Sequence, residues 1–483
     1  MSNEQKSFKR KSTAYFVVIF TVLAVILTFS LGYGLGSVRS RSSINNDPDS
    51  DSRFATFESV YNVLVNDFYY GKNSQEYKAK LLEDAINGMV DAQGDIHTDY
   101  MDPAEVASFT GSLESSFVGI GVRYTNLEGD VFVIEVLEGS PAEAAGIIAG
   151  DIITHVDGKP CKEFKTSDEL VNSIRGVKGT NVELDVVRNN ENLKFTVTRN
   201  EIENSVFTRT KDDVGIIQIT SFGTGTAGEL KKQLDKLEAA GIRRLILDLR
   251  SNGGGYQTTL DAMCSYFMKN GEIVMREVDR DGNEIIDAVR DADVFPYEKI
   301  VILINQHSAS CSEVFTLALM EHCGAETVGL QTYGKGVAQL QRFFPDGSAI
   351  KYTDVIWKSD RGVYVQGNGI MPDYEVRLPE ALYLSTAPLE VEKYEYDQVG
   401  AGIAEAQLTL DFLGYEVDRT DGYFSEMTVK ALKQFQHDVG LEETGILTKD
   451  DFVSLQSTLS FKWSVDRDTY DTQLHKALEV VRQ

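Results

Sequence analysis

The run Lys299–Asn305 (KIVILIN) is apolar and β-branched with no polar alternation. A strand of that kind is stable only where both of its faces are covered, as in a parallel sheet flanked by helices. Two similar runs precede it, GIIQIT from Gly215 and RLILDL from Arg244, separated by a helical stretch, Gly228–Ala239. Strands alternating with helices imply an α/β core, and sites in such cores gather at the carboxyl ends of the strands.

The turn after Lys299–Asn305 is therefore the first place to look for chemistry. The segment Asn305–Glu313 (NQHSASCSE) leads into Ser312–Cys323 (SEVFTLALMEHC), whose apolar residues fall at helical spacing. Ser310 would lie on the strand-to-helix turn, where a serine exposes its hydroxyl and the next amide, that of Cys311, can stabilise an oxyanion. The plain alternative is a helix cap, with Ser310 or Ser312 at the N-terminus and Glu313 near the positive end of the dipole.

Farther on, Thr332–Gln339 (TYGKGVAQ) holds Lys335 between Gly334 and Gly336. The glycines permit close backbone approach and leave a long side chain unobstructed. To serve as a base, the amine needs desolvation that brings its pKa from about 10.4 toward the working pH. Val337 and Leu340 are the apolar neighbours that would supply it, and a solvated turn lysine is the alternative. His307, three residues before Ser310, offers a second base, but side chains so close along a turn rarely face each other. The chain contains no GxSxG elbow, no HExxH zinc helix and no GK[ST] phosphate loop.

Together with Asp248–Gly255 (DLRSNGGG), Val214–Phe222 (VGIIQITSF) and Gly369–Asp373 (GIMPD), these stretches resemble the C-terminal processing peptidases, the carboxyl-terminal proteases of serine peptidase family S41. They match that family's DLRxNxGG loop, opening core strand and GIxPD signature, in order. The resemblance implies a serine endopeptidase needing no metal or cofactor. Ser310 would be its nucleophile, Lys335 its general base and Gln339 the group orienting the lysine. Gly254 or Gly255 would supply a second oxyanion amide beside Cys311. Cys311 stands where many members carry alanine, although only its backbone is needed, and Gln306 and His307 stand where small residues are usual.

Upstream, Phe117–Arg199 switches to short strands with glycine turns (VGIGVRY, VFVIEVL, DIITHVDG, VELDVVR) and two helix-like segments, the first beginning at Ser140-Pro141. This order resembles a PDZ domain, which captures an extended C-terminus as an added strand and holds its carboxylate on backbone amides. The GIGV of Gly119, Ile120, Gly121 and Val122 matches that carboxylate loop. Arg175 lies where the resembled proteases couple ligand occupancy to assembly of the active site; a solvated surface charge is its plain reading. Such a PDZ domain, placed just before the core, could hold Lys335 away from Ser310 until a tail binds.

Downstream, the sequence from Leu413 (LGYEVDRTDGYFSEMTVKALKQFQHDVGLEETGILTKDDF) resembles a three-helix peptidoglycan-binding-like domain, implying cell-wall glycan or stem peptide as partner, with protein docking as the alternative. At the other end, Ala14–Leu35 is uncharged and long enough to cross roughly 30 Å of hydrocarbon. Lys6, Lys9, Arg10 and Lys11 precede it, placing the N-terminus in the cytoplasm, and without an A-x-A cleavage site it reads as a retained anchor.

The expected order is thus a cytoplasmic tail (1–13), a transmembrane helix (14–36), a linker (37–52), a helical segment (53–110), a PDZ domain (111–200), the α/β protease core (201–382), a linker (383–402), the peptidoglycan-binding-like domain (403–460) and a C-terminal helix (461–483). The helical segment would either pack onto the catalytic body or, as the resemblance implies, join protomers into a homo-oligomer. A net charge of −27 and the lack of a basic stripe argue against nucleic acid. Four scattered cysteines, without CxxC pairs, predict neither a metal site nor a disulfide framework. The resulting expectation is a membrane-anchored, extracytoplasmic peptidase of a Gram-positive cell, acting on protein C-terminal regions. Its rival is a catalytically silent tether joining envelope proteins to the wall.

Overall fold

The computed structural model describes residues 50–113, 116–127, 130–188, 191–203, 205–384 and 389–483. The expected cytoplasmic tail and transmembrane helix lie outside these residues, as does the expected linker up to residue 49. Among the described residues no helix is long and apolar enough to cross a membrane. The chain divides into two compact units, residues 1–94 and 95–483.

In the first unit, the helix Ser50–Asn66 begins inside the expected linker, and Gln75–Asp91 follows it. Ser74 caps the second helix, its hydroxyl accepting the Tyr77 N–H at 3.2 Å. Phe57 and Val60 of the first helix and Phe68, just beyond its end, are exposed, while Val65 is buried.

The second unit is built on a six-stranded sheet, ordered Val206–Lys211, Val214–Ile219, Arg244–Asp248, Lys299–Ile304, Glu326–Gly329, Tyr374–Glu375. Only the first pair is antiparallel. Its strands are unbroken apolar runs because both faces are covered. Ile217, Ile219, Leu245, Leu247, Ile300, Ile302 and Ile304 pack with the helices Thr226–Ala239, Gln257–Cys264 and Cys311–Cys323. The residues between them, Val214, Ile216, Ile246, Val301 and Leu303, pack instead against Leu474, Ala477, Leu478, Val480 and Val481 from the end of the chain. At roughly 1.5–3 kcal/mol per buried Val, Leu or Ile side chain, the far terminus is an integral layer of the core.

A five-stranded sheet lies beside this body: Asp99–Met101, Ala349–Lys358, Ile273–Asp279 and Glu284–Ala288, with Val337–Phe343 on the other edge of Ala349–Lys358. Residues expected in the N-terminal helical segment thus also supply a strand, Asp99–Met101, and a helix, Pro103–Leu113. The PDZ-like part has its own core and two helices, Pro141–Ala145 and Ser167–Ile174. The Ser140 hydroxyl caps the first, accepting the Glu143 N–H at 3.2 Å.

Ala401–Leu413, Glu426–Asp438 and Lys449–Val465 form a three-helix unit with a separate core. The third helix runs past residue 460, the expected end of the peptidoglycan-binding-like domain. The terminal segment then breaks into Arg467–Tyr470 and Thr472–Val480. The break has a local cause: Asp471 leaves helical geometry and its carboxylate accepts the Leu474 N–H at 2.9 Å, capping the last helix.

Candidate active site

The apolar strand Lys299–Ile304 ends at Asn305, and six residues carry the chain into the helix Cys311–Cys323. Three serines lie in or beside this turn, and the fold distinguishes them. Ser308 and Ser312 are fully buried, their hydroxyls donating to the carbonyls of Leu249 and Asn252, both at 2.8 Å. Ser310 is half-buried. It holds φ 57° and ψ −120°, a conformation that an L-residue keeps only when its surroundings enforce it and that concentrates at functional sites. Ser310 does occupy the helix N-cap position, so the plain alternative is right about its place and silent about its strain.

The enforcing group is Glu313, which the sequence marks only as a charge near a helix dipole. It is fully buried, and its carboxylate accepts four hydrogen bonds. Oε2 takes the N–H of Ser310 at 2.9 Å and of Lys335 at 2.8 Å, and Oε1 takes the Gly334 N–H at 2.8 Å and the Thr332 hydroxyl at 2.5 Å. The serine turn and the GKG loop are therefore joined through one side chain.

The glycines around Lys335 act by close approach, as the sequence predicts. A Cβ on Gly334 would stand 2.7 Å from the Gly369 nitrogen, and one on Gly336 would stand 2.8 Å from the Gln366 nitrogen. The GIMPD segment is what presses on the loop: the Thr332 N–H donates to the Ile370 carbonyl at 3.1 Å. The Trp357 indole donates to the Lys335 carbonyl at 3.0 Å. Burial first, and the Lys351 ammonium second, push the Lys335 amine below the ordinary lysine value. Val337 is buried beside it, but Leu340 is half-exposed. A register shift between Ala338 and Gln339 disturbs the strand's alternation, so Leu340 does not provide the cover expected of it.

Other expected members are placed less closely. Lys335 Nζ makes no hydrogen bond to Ser310 or to any other group among the described residues. Gln339 donates to Thr353 Oγ1 at 3.5 Å rather than touching Lys335. His307 is exposed and its ring contacts Gln306 at 3.3 Å.

The DLRSNGGG loop meets the serine turn directly. Asn252 is fully buried, with its carbonyl accepting the Ala309 N–H at 3.0 Å and its side chain donating to the Ile219 carbonyl at 2.9 Å. Gly254 (φ 100°) leaves little room for a Cβ, which would lie 3.0 Å from Ser310 Cβ and 3.1 Å from the Cys311 nitrogen. Its N–H already donates to Asn252 Oδ1 at 2.9 Å, whereas the Gly255 amide has no acceptor among the described residues. Cys311 N–H is the first amide of its helix, with no carbonyl one turn back. The Cys311 thiol is pushed up to about 11 by burial, contacts the Gly255 carbonyl at 3.3 Å, and is no nucleophile.

In the PDZ-like part, Phe117, Gly119, Ile120, Gly121, Val122, Val171 and Arg175 line a cavity of about 90 Å³. Arg175 lies over the Phe117 ring at 4.2 Å. The carbonyls of Ile120 and Gly121 are taken by the amides of Ala142 and Leu137.

A model for peptidase family S41 matches residues 213–376, one for a PDZ domain residues 118–198, and one for a peptidoglycan binding domain residues 399–450. The carboxy-terminal processing protease CtpA of Bacillus subtilis is 34% identical over 481 residues, 98% of this chain and 99% of that protein. A "Probable CtpA-like serine protease" of Staphylococcus haemolyticus is 32% identical over 450 residues, 93% of this chain and 89% of its own length. Among solved structures, a photosystem II D1 C-terminal processing protease is 25% identical with a TM-score of 0.40, covering 68% of this chain and 87% of that one.

Proposed function

The chain belongs to peptidase family S41, the carboxy-terminal processing serine proteases, and from that premise we propose that it cleaves protein substrates recruited by their C-terminal regions, with Ser310 as nucleophile and Lys335 as base. The observation that carries the assignment is the Glu313 carboxylate, which holds the Ser310 and Lys335 amides on a single oxygen. No tether requires that arrangement.

In the proposed reaction, neutral Lys335 Nζ takes the Ser310 proton as Oγ bonds to the scissile carbonyl carbon. The amides of Cys311 and Gly255 hold the oxyanion, with Gly254 packed behind Ser310. The Lys335 ammonium returns its proton to the leaving amine as the C–N bond breaks. Water then attacks the acyl-enzyme, giving a proton to Lys335, and Ser310 is regenerated. Because Lys335 and Ser310 make no hydrogen bond at rest, we read this geometry as the resting state. A tail bound by Gly119–Val122 and Arg175 would bring them together and carry Gln339 from Thr353 to Lys335.

The N-terminal anchor, an extracytoplasmic catalytic part and wall binding by the three-helix unit complete the proposal, supported by the apolar run Ala14–Leu35 and the peptidoglycan binding domain match. The exposed Phe57, Val60 and Phe68 are the surface through which protomers would associate. The test is mass spectrometry of envelope-protein C-termini in cells carrying wild type or Ser310→Ala. Fragments ending at new C-termini should vanish with Ser310→Ala. Their persistence after complementation by Ser310→Ala alone would sink the mechanism.

A further inference from the structure

Arg250, in the DLRSNGGG loop, is almost wholly buried, and its partners come from its own strand end and from the far end of the chain. Asp248, two residues earlier, accepts from Nε at 2.9 Å and from Nη2 at 2.7 Å. The other partners lie 221 and 223 residues away, beyond the three-helix domain. Asp471 accepts from Nη1 at 2.9 Å and Nη2 at 2.8 Å, and Gln473 Oε1 accepts from Nη1 at 3.0 Å. Asp471 is 0% exposed and Gln473 1%. The guanidinium fork is thus clamped between two carboxylates, a geometry with little freedom.

The residues after Arg250 lead straight to the serine. Ser251 N–H donates to Asn305 Oδ1 at 2.8 Å, Asn252 accepts the Ala309 N–H, and Gly254 packs on Ser310. The residues before Asp471 lead outward. Arg467 approaches Asp248 at 3.5 Å, Asp468 pairs with Arg209, and Phe461 stands edge-on to Phe132 of the PDZ-like sheet at 4.8 Å. One continuous stretch, 461–473, therefore touches the recruiting domain, continues from the wall-binding-like domain and grips the loop behind the nucleophile.

We infer that Asp471 is a positioning residue for the peptidase reaction: through the Arg250 guanidinium, the segment after the peptidoglycan-binding domain sets where the 252–255 loop stands relative to Ser310. The inference rests on the reading of Ser310 as nucleophile. Asp471 never reaches substrate, so its removal should reduce the rate of the chemical step and leave ground-state binding intact.

The experiment compares full-length wild type with Asp471→Asn and Gln473→Met. Asparagine still caps the last helix, so Asp471→Asn removes the carboxylate's charge, which faces Arg250 and, at 3.6 Å, Arg467 Nε. A fluorophosphonate reports the number of reactive serines and their rate of modification, with the label located by mass spectrometry, and a tailed reporter peptide gives kcat and KM per labelled site. We expect kcat and the labelling rate of Asp471→Asn to fall together by about tenfold or more with KM within about twofold, and Gln473→Met to show the same pattern more weakly. An unchanged kcat per labelled site in folded Asp471→Asn overturns the inference. If that variant fails to fold, an unchanged kcat per labelled site in Gln473→Met overturns it equally. Wild type labelled at a residue other than Ser310 overturns both the inference and the catalytic assignment.

Discussion

The carboxylate of Glu313 accepts the backbone N–H of Lys335 at 2.8 Å, 22 residues along the chain, with the same oxygen that takes the N–H of Ser310. Hydrogen bonds to a charged acceptor are worth about 1.5–3 kcal/mol each, and here they hold a strained serine and a half-buried lysine in one frame. Glu313→Gln keeps the shape but turns an amide group toward N–H donors. Its kcat should fall by about 10² or more with little change in KM, and Glu313→Ala should also lose roughly 3 kcal/mol of stability in denaturant unfolding. Full activity in a folded Glu313→Gln would show that the shared carboxylate is dispensable.

The two glycines Gly253 and Gly254 are neighbours in sequence and opposite in consequence. A Cβ on Gly253 meets nothing within 4 Å, whereas on Gly254, at φ 100°, it would press on Ser310 and the Ala309 carbonyl. Gly253→Ala should retain activity within about twofold, and Gly254→Ala should lose about 10² in kcat. Parallel steady-state kinetics on the two purified variants decide the matter, and equal losses would mean that the loop as a whole, rather than its contact with Ser310, is what matters.

Much of this site is legible in the sequence because its parts are local. The strand, turn and helix around Ser310 follow from periodicity over Lys299–Cys323, and the GKG frame follows from what glycine permits. Glu313 lies within the same window, yet its role depends on Thr332, Gly334 and Lys335 arriving from another loop. Asp471 is less accessible still, since its partner Arg250 is 221 residues away and nothing in a sequence pairs one carboxylate with one guanidinium at that range. Leu340 misleads for the opposite reason: a local pattern of alternation is interrupted by a strand irregularity.

Catalysis by a neutral Lys335 should rise with pH as the amine deprotonates. Burial and then the Lys351 ammonium hold its pKa below the ordinary lysine value. The Lys351 ammonium lies 5.2 Å from the centre of the Phe109 ring. Removing its charge relieves repulsion of the protonated Lys335 and raises that pKa, so the rising limb of kcat/KM against pH should move to higher pH in Lys351→Met. At neutral pH the variant should be severalfold slower and should recover at alkaline pH. A limb unmoved by the substitution would separate the titrating group from Lys335.

Asp261, on the helix after the DLRSNGGG loop, is raised to about 8 by burial and by the neighbouring carboxylates of Asp287 and Glu277. Its Oδ1 has no hydrogen-bond partner among the described residues. A carboxyl whose folded-state pKa is raised contributes fully below its unfolded value, about 3.9, and loses that contribution as pH climbs toward 8. Asp261→Asn removes the ionisation, so its advantage over wild type should be small near pH 4, grow through neutrality and level off above about pH 8. Thermal unfolding across that range measures it, at about 2–4 °C per kcal/mol for a body of this kind. A melting-temperature difference that is constant with pH would mean that Asp261 ionises in the folded protein as freely as in the unfolded chain.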